Sequence, residues 1–149
     1  MTALATTTPG RGVGRLRAAS AAVALVGLGI ASYLTIVHYS GGAPACAIAH
    51  GCETVQRSAY AKVGGVPVAL AGLVGYVALL VTLLRDDENW RVATAFLALA
   101  GLGFSAWLTW VEVGILHAIC IWCVGSALCM LTLAGLSVSR VLRGDMSAR

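Results

Sequence analysis

Charged residues cut the sequence into long apolar runs. After Arg17 the next charged position is Glu53, and the apolar part of that interval, residues 18–37, has the length of about 20 residues that one membrane-spanning helix needs. A second run of 22 uncharged residues, 63–84, separates Lys62 from Arg85. It opens with Gly64, Gly65 and Pro67, which the first turn of a helix tolerates. Between Arg91 and Arg140 only Glu112 interrupts the apolar pattern. As one helix that stretch would reach roughly 70 Å, more than twice a bilayer core. It must therefore turn back, and the turn is expected at 112–118, where Glu112, Gly114 and His117 cluster. The pattern predicts a third span at about 92–113 and a fourth at about 119–139. The expected fold is an all-α membrane protein, a four-transmembrane-helix bundle over 18–140 flanked by tails at 1–17 and 141–149.

Composition agrees. Of 149 residues, 59% are apolar and 11% charged, and mean hydropathy is +0.88, outside the soluble range. The length permits one small bundle and excludes a multidomain chain. Eight of the ten basic residues, Arg11, Arg15, Arg17, Arg85, Arg91, Arg140, Arg143 and Arg149, fall on one side of the predicted spans. By the positive-inside rule both termini are then cytoplasmic. The first span is too long for a cleaved signal peptide and reads as retained. Arg57 and Lys62 fall in the outer loop, 40–62, whose segment 57–62 is expected to form a short helix along the membrane surface.

Most other residues read as packing or anchoring. Gly27, Gly29, Ala31, Gly72, Gly75, Gly101 and Gly103 let helices approach closely in lipid. Trp90, Trp107, Trp110, Trp122, Tyr39 and Tyr60 suit the headgroup layer near span ends. His38, His50 and His117 read as interfacial, with a role in sulfur acid–base chemistry as the alternative. Glu112 reads as a headgroup anchor, since a carboxylate at the end of an apolar span must reach water or a partner. Asp86, Asp87 and Glu88 read as a solvated turn, and no phosphate-binding glycine loop accompanies them.

The chemistry lies in the cysteines. Cys120-Ile-Trp-Cys123 is a C-x-x-C at the start of the predicted fourth span. There helix amides stabilise a thiolate, and the spacing puts both sulfurs on one face. Cys46 and Cys52 share the Gly- and Ala-rich outer loop, with Pro44 ahead of the pair and Gly51 immediately before Cys52, and this loop is expected to be mobile. The tight turn between spans three and four brings all four cysteines to the same outer face. A mobile dithiol facing a helix-anchored one suits electron relay by disulfide exchange. Two static disulfides are the plainer alternative, but closing such short loops gains little. A zinc site of four thiolates, with His50 or His117 replacing one, is the other alternative. Cys129, inside the fourth span, reads as a small buried hydrophobe and is expected to be dispensable.

Four features together resemble the vitamin K epoxide reductase family in its bacterial form. They are the paired-cysteine loop after the first span, Ser58 six residues beyond Cys52, the Gly65-Val-Pro67 opening of span two, and the run Glu112-Val-Gly-Ile-Leu-His-Ala-Ile-Cys120-Ile-Trp-Cys123. The resemblance covers roughly residues 18–140. It implies that Cys46 exchanges with a thioredoxin-fold partner, that Cys52 passes electrons to Cys120, and that Cys123 faces the cofactor, a membrane quinone (ubiquinone or menaquinone). Ser58 stands at the family's loop hydroxyl, which supports the quinone site or the reactive thiolate. Val68 and Ala127 stand where animal members carry the polar side chains that hold the naphthoquinone carbonyls.

The implied activity in bacterial members is oxidation of an extracytoplasmic DsbA-like protein at the cell membrane, supporting disulfide formation. With no fused thioredoxin domain expected here, that partner is a separate protein. Two other classes fit the same cysteines less well: a metal-binding or metal-transporting membrane protein, and a structural membrane partner. A DsbB-type quinone reductase would place its C-x-x-C in the first outer loop.

Overall fold

The computed structural model describes residues 9–46 and 51–148. His50, Arg149 and residues 1–8 of the N-terminal tail lie outside them. The described chain is dominated by helix: α1 (Pro9–Ser40), α2 (Gly51–Arg57), α3 (Val68–Leu83), α4 (Glu88–Val111) and α5 (Ile121–Ala148). Helix α1 packs on α3 and α5, and α4 packs on the same two. Among the described residues, three stretches are long and apolar enough to cross a membrane: Gly12–Ser40, Glu88–Leu116 and Ile121–Gly144.

The fourth long helix, α3, has only 16 residues, about 24 Å of rise against a core of about 30 Å. The reason is local. The expected helix start at 63–67 is instead an antiparallel hairpin, β1 (Lys62–Val63) pairing with β2 (Val66–Pro67). Gly64 and Gly65 hold φ of 60° and 85°, the two successive positive values that a tight hairpin turn needs and that glycine supplies without strain. Segment 57–62 likewise departs from expectation. The short helix lies earlier, as α2, and only a single 3₁₀ turn, Ala59–Ala61, follows it.

The reversal between α4 and α5 falls where Glu112 and Gly114 marked it. A wide helical turn, Glu112–Leu116, ends at His117, which adopts the left-handed conformation with φ 49°. The Ala118 amide donates to the Glu112 carbonyl at 3.0 Å and closes the turn.

The core is built from small residues against a few large ones. Tyr76, fully buried, lies over Gly27, where any side chain would overlap its ring. Its hydroxyl donates to the Ser126 carbonyl at 3.0 Å and so joins α3 to α5. Gly101 similarly admits Met130 of α5. Gly29 and Gly103 face open space rather than a neighbouring helix. The outward faces are as apolar as the core; Phe96, for example, is 71% exposed. Such a surface suits lipid and not water.

At the end of the molecule opposite the hairpin, Asp86 is not a freely solvated turn residue. Its Oδ1 accepts from Arg91 Nε at 3.0 Å and from Arg140 Nη2 at 2.9 Å, and the Arg140 side chain is 1% exposed. Arg17 joins the cluster by donating to the Leu84 carbonyl at 2.8 Å, satisfying the C-terminus of α3. Burial alone would raise the Asp86 carboxyl; hydrogen bonds and charge from the two arginines outweigh it and hold the group below the usual carboxylate range.

Candidate functional site

Cys46 and Cys52 are joined in a disulfide with Cα atoms 6.3 Å apart, while Cys120, Cys123 and Cys129 are free thiols. The outer loop is fastened directly to the C-x-x-C turn. Trp122, which stands between Cys120 and Cys123, donates from Nε1 to the Ala45 carbonyl at 2.9 Å, one residue before Cys46. Tyr33 of α1 completes this clamp. Its hydroxyl accepts from the Ala45 amide at 2.9 Å, and its ring lies 4.8 Å from that of Trp122. Trp122 is thus a tether between the two cysteine pairs rather than a headgroup anchor.

Helix α2 makes the second junction. A Cβ at Gly51 would fall 2.6 Å from the Ile119 carbonyl oxygen, so only glycine lets α2 sit against the backbone there. Cys52 and Cys120 each follow one of these touching residues, and both are fully buried. The structure therefore brings Cys46, Cys52, Cys120 and Cys123 to one end of the helices, the end away from the Asp86–Arg140 cluster. With Cys46 and Cys52 bonded to each other, two of the four thiolates that a zinc site would use are already consumed.

The C-x-x-C sits as its position at a helix start demands. Cys120 precedes α5, so its sulfur lies at the helix start, where the backbone amides of Trp122 and Cys123 favour its thiolate. The Cys123 thiol lies within hydrogen-bonding reach of the Cys120 sulfur and of the Glu112 carboxylate. Glu112 itself is 4% exposed, and its Oε2 accepts from the Cys120 amide at 3.1 Å. It is not the headgroup anchor its place in the sequence suggested. The turn folds it inward, onto the two sulfurs.

Cys123 opens into a cavity of about 190 Å³ between α1, α3, α4 and α5, roofed by α2 and the 3₁₀ turn. Its walls are mostly apolar, with a few polar groups among them, the form that sites for lipid-soluble molecules take. Ser58 and Val68 both line it. The Ser58 hydroxyl donates to the Val55 carbonyl at 2.7 Å. Ala127 does not line it: α5 presents Cys123, Ser126 and Met130 to the cavity, a helical stripe that Ala127 misses by one position. Gln56, which carried no signal in the sequence pattern, lines the cavity as well. Cys129 is partly buried and packs against the core away from this wall.

The fold, the two cysteine pairs and the cavity that the second pair borders agree with a comparison to known families. The Vitamin K epoxide reductase family matches residues 18–138 of the sequence. That interval holds α2, α3 and α4, most of α1 and α5, and all five cysteines, and the chain belongs to the Vitamin K epoxide reductase family.

Proposed function

We propose that this membrane thiol–disulfide oxidoreductase oxidises an extracytoplasmic thioredoxin-fold protein of the DsbA type and passes the electrons to a membrane quinone. In this reading α3 also crosses the bilayer, giving four spans. The hairpin at 62–67 then lies in the headgroup layer, and the arginine-rich end faces the cytoplasm of a bacterial cell membrane. The observation that carries the proposal is the juxtaposition of two cysteine pairs, one in an outer loop and one bordering an apolar cavity.

Each residue has a task in this scheme. A thiolate of the partner attacks the Cys46–Cys52 disulfide at Cys46, and Cys52 leaves as a thiolate. The partner's second thiolate then displaces Cys46, so the partner leaves oxidised and the outer pair is reduced. Once Cys120 and Cys123, free thiols in this structure, have closed to a disulfide, Cys52 attacks that bond at Cys120, Cys46 resolves the mixed bond, and the inner pair becomes reduced. The helix amides on the Cys120 sulfur favour its thiolate. Cys123 meets the cavity, and Glu112 receives the proton that its thiol must release.

The quinone supplies a two-electron, two-proton acceptor, which no side chain here provides. The residues present fit such a molecule: the walls are mostly apolar, Cys123 borders the space, and a buried amide nitrogen of Gln56 has no partner among the described residues. Re-forming the Cys120–Cys123 disulfide releases the two electrons and two protons that such an acceptor would take.

The test uses the protein in liposomes that contain menaquinone or ubiquinone, with a reduced thioredoxin-fold oxidase outside. Quinone absorbance should fall as the partner is oxidised. Cys123→Ala should abolish this. Cys46→Ala should abolish it with the protein partner while leaving Cys120–Cys123 reducible by a small dithiol. Wild-type protein that leaves the quinone oxidised while the partner stays reduced would overturn the proposal.

A further inference from the structure

An apolar cavity fixes the pose of a flat ring only where a polar wall group holds one of the ring's oxygens. Of the six hydroxyl-bearing residues in the wall, three donate to backbone carbonyls and Ser126 pairs with Tyr76, while Tyr60 and Ser105 are the others. Ser58 donates to Val55, Tyr76 to Ser126 and Thr109 to Ser105. The Glu112 carboxylate is an acceptor turned to Cys120 and Cys123. Gln56 differs: its Nε2 is buried and has no hydrogen-bond partner among the described residues. A buried amide N–H left unmade is costly, so the position is unfavourable unless a bound molecule accepts the bond.

The rest of α2 explains why this side chain faces inward. Glu53 and Arg57 form an exposed ion pair at 3.1 Å on the outer face. Cys52, Val55 and Gln56 then fall on the inner one, with Cys52 and Gln56 one helical turn apart. The helix that carries the electron-donating sulfur thus also carries the unpaired donor.

We infer that the Gln56 side-chain amide donates a hydrogen bond to a carbonyl oxygen of the quinone, and so sets the orientation of the ring relative to Cys123. The inference rests on the quinone reading above and assigns the polar contact to α2, not to the positions of Val68 and Ala127. It makes Gln56 a binding residue, with the apolar walls supplying the rest of the affinity.

Titration of short-tailed menaquinone and ubiquinone into the protein in nanodiscs, followed by tryptophan quenching, tests it. Gln56→Leu should weaken binding about tenfold. The infrared carbonyl stretch of the bound quinone, lowered by hydrogen bonding in the wild type, should move back up in the variant. Gln56→Met, closer in length, repeats the measurement should Gln56→Leu fail to assemble. Wild-type protein that binds neither quinone would overturn the functional reading itself. Equal binding by wild type and variant, or weaker binding with an unmoved carbonyl stretch, would overturn the role of Gln56 alone.

Discussion

At the scale of single residues, the site depends on side chains that do several things at once. Glu112 accepts the Cys120 amide and faces the Cys123 thiol. Glutamine at 112 keeps an oxygen for the amide but cannot take a proton. Glu112→Gln should therefore fold with near wild-type thermal stability and lower quinone-linked turnover about a hundredfold, within the span of proton-transfer effects. Glu112→Ala should in addition lose about 1–3 kcal/mol of stability, because the buried Cys120 amide is left without a partner. Thermal unfolding in detergent, measured beside turnover, separates the two effects. Trp122→Phe keeps the ring against Tyr33 and removes only the bond to Ala45. Electron transfer between the two cysteine pairs should slow while quinone affinity holds, which rapid-quench thiol alkylation would resolve.

At the scale of elements, much was legible in the charge spacing. Desolvation makes every charge in lipid costly, so the charges bracket the long helices and the turn at Glu112 falls where the sequence interrupts its apolar run. The hairpin at 62–67 was legible too, in Val63-Gly-Gly-Val66, a two-glycine turn signal between β-branched residues. The uncharged run around it masked that signal, because hydropathy alone does not distinguish a strand from a helix start. Replacing both glycines tests its weight. Gly64→Ala combined with Gly65→Ala forces side chains into positive φ and should destabilise the segment by about 1–2 kcal/mol per residue. Faster proteolysis near Lys62 would report it. The inward turn of Glu112 and Gln56 was not legible. It depends on a left-handed residue at His117 and on the contact of Gly51 with Ile119, which are tertiary choices that no local pattern encodes.

The whole molecule is polarised along its length. One end gathers Arg91 and Arg140 around Asp86, with Arg17 on the nearby Leu84 carbonyl, and the other gathers four sulfurs and the cavity. The two ends should respond to different variables. Because folding lowers the Asp86 carboxyl, its contribution to stability is full above the ordinary carboxylate range and disappears as pH falls through the lowered value. Thermal unfolding should therefore show an acid-dependent loss that Asp86→Asn removes, at a cost of about 2 kcal/mol near neutral pH. Chemistry at the sulfur end should be unaffected by that substitution.

The meeting of the two cysteine pairs is tested most directly by leaving one sulfur from each. In the double variant Cys46→Ala with Cys123→Ala, mild oxidation should join Cys52 to Cys120 in a single disulfide, identified by mass spectrometry of the unreduced peptides. Free thiols at both positions under the same oxidation would contradict the relay.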